Sequence, residues 1–292
     1  MTTARSAFLS ARFPVAAGAL LGAAVFAGTL LAWPGAARAD GRLEAKYTLT
    51  VGSVELGRGS IVVEAGDTAY EITGAARVTG VLRAVSSGKG VAASRGVLSG
   101  GRMAPRIYAM NAEADGKAET ARITIAGGAV KDMDVEPPLK PVPDRVPLTP
   151  DALQNVIDPM SGAFILVPGT ADLISAAACD RSIPVFDGRQ RYDLKLSFLR
   201  TEKVKTEGYA GPAVVCGVRY SPIAGHRPTR STVKYMEENK DMQVWLVPIA
   251  GTRLLAPFKV SVATMIGTAV LAASSFETQA KSGTVPVNAP RP

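Results

Sequence analysis

Histidine, cysteine and aromatic residues are all scarce in this 292-residue chain. The single histidine, His226, excludes metal centres built from several imidazoles. Two cysteines, Cys179 and Cys216, exclude a disulfide-dense scaffold and a four-thiolate zinc site. Aromatic side chains make up 6% of the chain, too few for base-stacking platforms. Lys and Arg never run four in a row, no P-loop is present, and no G-x-G-x-x-G lies between a strand and a helix. Neither nucleic acid nor nucleotide is expected as a partner, and no cofactor or metal. What is there is a chain 47% hydrophobic and 20% charged, apolar enough to fold around a core.

Residues 1–39 read as a signal peptide. Arg5 and Arg12 form a positive leader, no acid precedes Asp40, and an uncharged Ala-, Gly- and Leu-rich stretch covers 13–37. Ala37-Arg38-Ala39 gives the small-x-small pattern that places cleavage between Ala39 and Asp40. The stretch is also long enough to span a bilayer, so an inner-membrane anchor through 13–37 is the alternative. Cleavage removes Arg5, Arg12 and Arg38 and no acid, so the formal +8 becomes +5. The expected compartment is the periplasm. In that oxidising setting the only two cysteines, Cys179 and Cys216, are expected to pair as a disulfide.

The mature chain, residues 40–280, opens on period-2 patterning. Leu43, Ala45, Tyr47, Leu49 and Val51 alternate with polar residues, and 54–64 returns as a second strand whose parity changes around Gly57 and Gly59, the mark of a bulge. Residues 70–78 complete a meander. Further strands are expected at 105–113 and 119–126 around the Asp115-Gly116 hairpin signal, and at 191–200, 212–220, 230–236 and 242–248. Residues 259–273 read as one last strand, apolar on both faces.

Six prolines between 136 and 150 make that stretch a surface linker. Thr149-Pro150-Asp151 then caps a helical segment, 150–167, whose stripe is Leu153, Val156, Ile157, Met160 and Phe164, with a restart at Asp158-Pro159. Thr170–Ala178 is a further short helix, and 281–292 is a loose tail. About ten strands with no βαβ rhythm make an α+β, mostly β single domain: a strongly curved antiparallel sheet, an open half-barrel, around a central helical segment.

The opening YTLTVGSVELGRGSIVVE, then YEITGAARVTGVLRAV, MAPRIYAM, ALQNVIDPMSGAFIL, VFDGRQRYDLKL and the closing MQVWLVPIAGTRLLAPFKVSVATMIGTAVLAASSFE together resemble the DUF3108 family of exported bacterial proteins, over residues 43–277. Members of that family are distantly similar in architecture to the periplasmic lipoprotein carriers LolA and LolB. The resemblance implies an open half-barrel and an envelope role with an apolar ligand. It carries no catalytic residues.

The functional expectation is a non-catalytic envelope protein binding a lipid, a lipoprotein part or another apolar ligand in the curved sheet, with Val262, Ile266, Trp245 and Phe164 lining the cavity. The alternative is a closed-core module that binds an envelope protein or the cell wall. A hydrolase using His226 is the third reading, weakened by the absence of a G-x-S-x-G elbow. Asp187, Arg189, Arg191 and Asp193 are read as a hairpin corner and the polar face of the next strand, rather than as a phosphate site. Asp132, Asp134 and Glu136 lack the glycine of a calcium loop and are read as a solvated strand end.

Overall fold

The computed structural model describes residues 40–80, 83 and 87–281. The expected signal peptide and the tail beyond Lys281 lie outside them. All described residues belong to one compact unit.

Seven strands run first as an antiparallel meander. They are β1 (Asp40–Val51), β2 (Val54–Ala65), β3 (Ala69–Val78), β4 (Gly88–Ser99), β5 (Arg102–Ala114), β6 (Lys117–Ala126) and β7 (Ala129–Glu136). The second half supplies β8 (Ile165–Leu166), β9 (Arg181–Phe186), β10 (Arg191–Thr206), β11 (Tyr209–Ala224), β12 (Met242–Pro248), β13 (Leu254–Thr264) and β14 (Gly267–Lys281). Spatial order is β7-β6-β5-β4-β3-β2-β1-β14-β13-β12-β11-β10-β9, with β8 on β13. Both chain halves therefore meet where β1 pairs β14, Asp40 opposite Lys281. The expected bulge is present: register shifts between Leu49 and Thr50 where β2 passes Gly57.

This large curved sheet is not closed into a barrel, and β7 and β9 remain its free edges. A strap spans the gap between them. Val156 N–H donates to Gly128 C=O at the β6–β7 turn, Ile157 N–H donates to Pro184 C=O, and Phe186 N–H donates to Ile157 C=O. The strap thus satisfies backbone groups that an open edge would leave exposed.

The same strap fills the interior. Phe164 joins Leu43, Tyr70, Trp245 and Phe276 in one cluster. Val156 joins Tyr108, Ile123 and Phe186 in another. Ile165 sits with Val185, Leu246 and the disulfide sulfurs in the third. Met160 and Ile157 each pack against two of them. These are the residues whose stripe the sequence displays, although the 150–167 segment is only briefly helical: a single 3-10 turn at Asp151–Leu153 and α1 (Pro159–Gly162). Asn155, at φ +52°, breaks the first turn, and Asp158 restarts the chain by accepting from Ser161 N–H.

Several elements differ from the sequence expectation: the short helix expected over Thr170–Ala178 is reduced to a 3-10 turn at Ala176–Ala178, and β4 and β9 form where no strand is expected. Residues 231–238 form a helix, α2 (Ser231–Glu238), where a strand over 230–236 is expected. Val233 and Tyr235 alternate with the exposed Thr232 and Lys234, which reads as a strand, whereas Val233 and Met236 lie three apart and share a face only on a helix. The stretch 259–273 is a hairpin and not one strand. Thr264 pairs with Gly267, so Met265 and Ile266 form a two-residue turn. A two-residue loop of apolar side chains leaves the alternation uninterrupted, and its parity swaps face at the turn. That swap made one strand look apolar on both sides.

Candidate functional site

The register of the first five strands places side chains in transverse rows on the face opposite the core. The row nearest the β1–β2 turn reads Thr48, Arg58, Arg77, Lys89 and Glu113 across β1 to β5. The next reads Lys46, Ser60, Ala75, Val91, Asn111 and, on β6, Thr120. The third reads Val62, Thr73, Ala93 and Ala109 between the charged ends Glu44 and Arg122. A band of small and uncharged side chains therefore runs beside a row of three adjacent cations.

That band is a groove. A cavity of about 740 Å³ lies over the first two rows, and one of about 550 Å³ lies over the second and third. Ser60, Ala75, Val91 and Asn111 line both, so the two are continuous. Val91, at their centre, is 59% exposed. The adjoining residues that point to the opposite face, Gly59, Ala76, Gly90 and Ala112, carry almost no side-chain bulk. A Cβ added at Gly59 would stand 3.1 Å from the Ala75 carbonyl oxygen. Glycine here lets neighbouring backbones approach closely.

The cations are unevenly neutralised. Glu55 takes Arg58 with both oxygens, at 2.9 and 3.1 Å, and also accepts from Thr79. These bonds, Arg58 first, hold the Glu55 carboxyl below the usual glutamate range. Lys89 pairs with Glu113 at 3.2 Å. Arg77, between Arg58 and Lys89, has no hydrogen-bond or ion-pair partner among the described residues. Like charges directly opposite on neighbouring strands are destabilising.

A second polar constellation is buried. Ser94 Oγ donates to Asp158 Oδ2 at 2.8 Å and lies 2.9 Å from Ser161 Oγ, which is 2.7 Å from the Tyr70 hydroxyl. Burial pushes the Asp158 carboxyl up, opposed by its bonds from Ser161 and Ser94. All four residues are buried beneath the sheet. The cluster ties the strap to β3 and β4.

Residues 46–274 match a family model described as "Protein of unknown function (DUF3108)". The chain belongs to the DUF3108 family. Among solved structures it is similar to a chain titled "Crystal Structure of Beta-barrel-like Protein of Domain of Unknown Function DUF1849 from Brucella abortus". The identity is 9% and the TM-score 0.46, over 82% of this chain and 98% of that one. No curated protein matches.

The residues that sequence reasoning selected in this DUF3108 chain do not share a cavity. Phe164 and Trp245 are core, buried in one cluster. Trp245 Nε1 donates to Glu202 at 2.6 Å, and the Lys259 ammonium stands 4.4 Å from the centre of its ring. Val262 is half-buried on β13, between Met242 and Ala269. Ile266 is 83% exposed at the hairpin tip, and this corrects its assignment as cavity lining.

His226 is buried, 9% exposed, with the linker lying on it: Val146 N–H donates to its carbonyl. Its side chain makes no hydrogen bond among the described residues, so neither a serine nor an acid stands in reach. Asp187 is the hairpin corner expected, accepting from the N–H groups of Arg189 and Gln190. Arg191 and Asp193 pair on the strand that follows. Asp132, Asp134 and Glu136 lie on edge strand β7, and no three potential ligands among the described residues converge on a metal-sized site.

Cys179 and Cys216 are bonded, with Cα atoms 5.5 Å apart. The bond fastens the turn after the 3-10 helix at Ala176–Ala178 onto β11. No helix among the described residues is long and apolar enough to cross a membrane.

The groove itself escaped sequence reasoning. Gly57, Gly59, Gly74, Ala75, Ala76, Gly90, Ala92 and Ala93 are the signal that was available: small residues concentrated inside three successive strands.

Proposed function

We propose that this DUF3108 protein is an exported, non-catalytic envelope protein that holds the apolar chain of an amphiphile in the groove over β1 to β5. The observation that carries this reading is the uncharged band through Ser60, Ala75, Val91 and Asn111, continuous across two cavities and centred on an exposed valine. Binding sites are concave and largely apolar with a few polar groups at their margins, and this groove has that composition. The disulfide supports an oxidising compartment, in line with the signal-peptide pattern of 1–39.

This reading moves the ligand from the inside of the curved sheet to its outside, because Phe164, Val156 and Met160 of the strap occupy the interior. The filled interior also favours a second reading, a module whose face docks another envelope protein.

Titration with cis-parinaric acid, a fluorescent fatty acid, separates the two. The amphiphile reading expects saturable binding at one site, lost in Ala75→Trp, which fills the groove from an exposed position. Absence of binding to the wild-type chain contradicts it.

A further inference from the structure

The cationic row bears on what the groove accepts at its end. Arg58, Arg77 and Lys89 are directly opposed on three neighbouring strands, and Lys46 adds a fourth cation in the adjoining row. Directly opposed residues have Cβ atoms about 5 Å apart, so the three heads lie within reach of one small anion. The sheet bears this repulsion although only Glu55 and Glu113 offset it, each bound to an outer member of the trio. Arg77 is left as the free fork at the centre. It lines the 740 Å³ cavity together with Arg58, Lys89 and Val91, and with Arg58 and Lys89 it also borders a second cavity of about 760 Å³. A planar guanidinium with unused donors matches phosphate oxygens pairwise, and two flanking cations add charge without needing a fixed geometry.

On the other side of Val91 the lining turns to Val62, Thr73, Ala93 and Ala109, with no charged side chain until Arg122 and its neighbour Asp134 at the far rim. The groove is therefore polarised along its length, from a positive mouth to an apolar floor.

Building on the amphiphile reading above, we infer that the groove selects an amphiphile with a phosphate head, the head held by Arg77 between Arg58 and Lys89, and the chain laid across Val91 toward Ala93 and Ala109. The positive row alone would also attract free phosphate; continuity with the apolar band commits the site to a head joined to a chain.

The test compares three probes on the full mature chain by isothermal titration calorimetry. They are oleoyl lysophosphatidic acid, monoolein with the same chain and an uncharged head, and inorganic phosphate. Lysophosphatidate should bind at least about tenfold more tightly than monoolein, the size expected for one charge-assisted hydrogen bond to a charged group. Arg77→Gln should remove that advantage, whereas Lys203→Gln, the same charge change on exposed β10, should keep it.

Equal affinity for lysophosphatidate and monoolein overturns the head assignment and leaves the apolar groove standing. Failure of both lipids to bind overturns the groove and with it this inference. Inorganic phosphate binding as tightly as lysophosphatidate shows a free-anion site and overturns the commitment to an amphiphile.

Discussion

Ser94 of β4 donates its hydroxyl to the Asp158 carboxylate at 2.8 Å, and neither residue has appreciable contact with solvent. This bond joins the first half of the sheet to the strap that closes it. The groove lies on the other face of the same strands, so the strap holds in place the register on which the cationic row depends.

Asp158 should make stability depend on pH in the direction opposite to a surface ion pair. Burial raises its carboxyl above the ordinary aspartate range, so the folded protein keeps a proton that the unfolded chain releases. Its stabilising contribution is full below the unfolded-state value and is lost as pH rises through the folded-state value. Asp158→Asn should flatten that dependence while still accepting from Ser161 N–H. Asp158→Ala should cost about 3 kcal/mol, because Ser94 and the helix N-terminus both lose a buried partner. Thermal denaturation of the three proteins between pH 4 and 8 measures both effects.

Phe164 and Ile266 were grouped by sequence and should separate in stability. Phe164→Ala opens a cavity where the strap enters the main core and should cost about 3–5 kcal/mol. Ile266→Lys, at an exposed turn, should change stability by less than about 0.5 kcal/mol. Urea denaturation read by Trp fluorescence gives both values. A large loss in Ile266→Lys would mean that the β13–β14 tip is covered.

How much of this was legible follows from which interactions are local. The β1–β2–β3 meander, the bulge at Gly57 and the corners at Asp115-Gly116 and Asp187-Gly188 all show in short windows, because alternation and turn chemistry act between near neighbours; the disulfide follows instead from there being only two cysteines. The apolar residues of the strap were legible as a stripe, but their helical spacing did not reveal that Ile157 would bridge to β9. The Met265-Ile266 turn was hidden because neither residue favours a turn. The row Arg58–Arg77–Lys89 exists only once three strands are in register, and each member alone is an ordinary polar-face residue.

The disulfide should contribute about 4 kcal/mol by closing a loop across a sequence separation of 37 residues. Reduction under native conditions should lower the denaturation midpoint and loosen the 171–179 segment first, which amide hydrogen exchange would show. Non-reducing peptide mapping of protein from its own envelope should find Cys179 joined to Cys216 and an N-terminus at Asp40. A peptide containing Arg5 would contradict cleavage.

The most direct test of the groove is photo-crosslinking with a diazirine-bearing fatty acid followed by peptide mapping. Label confined to 58–62, 73–77 and 89–93, and abolished in Ala75→Trp, is the result expected from a chain lying across Val91. Label concentrated in 156–167, the strap inside the sheet, would contradict it and return the ligand to the interior.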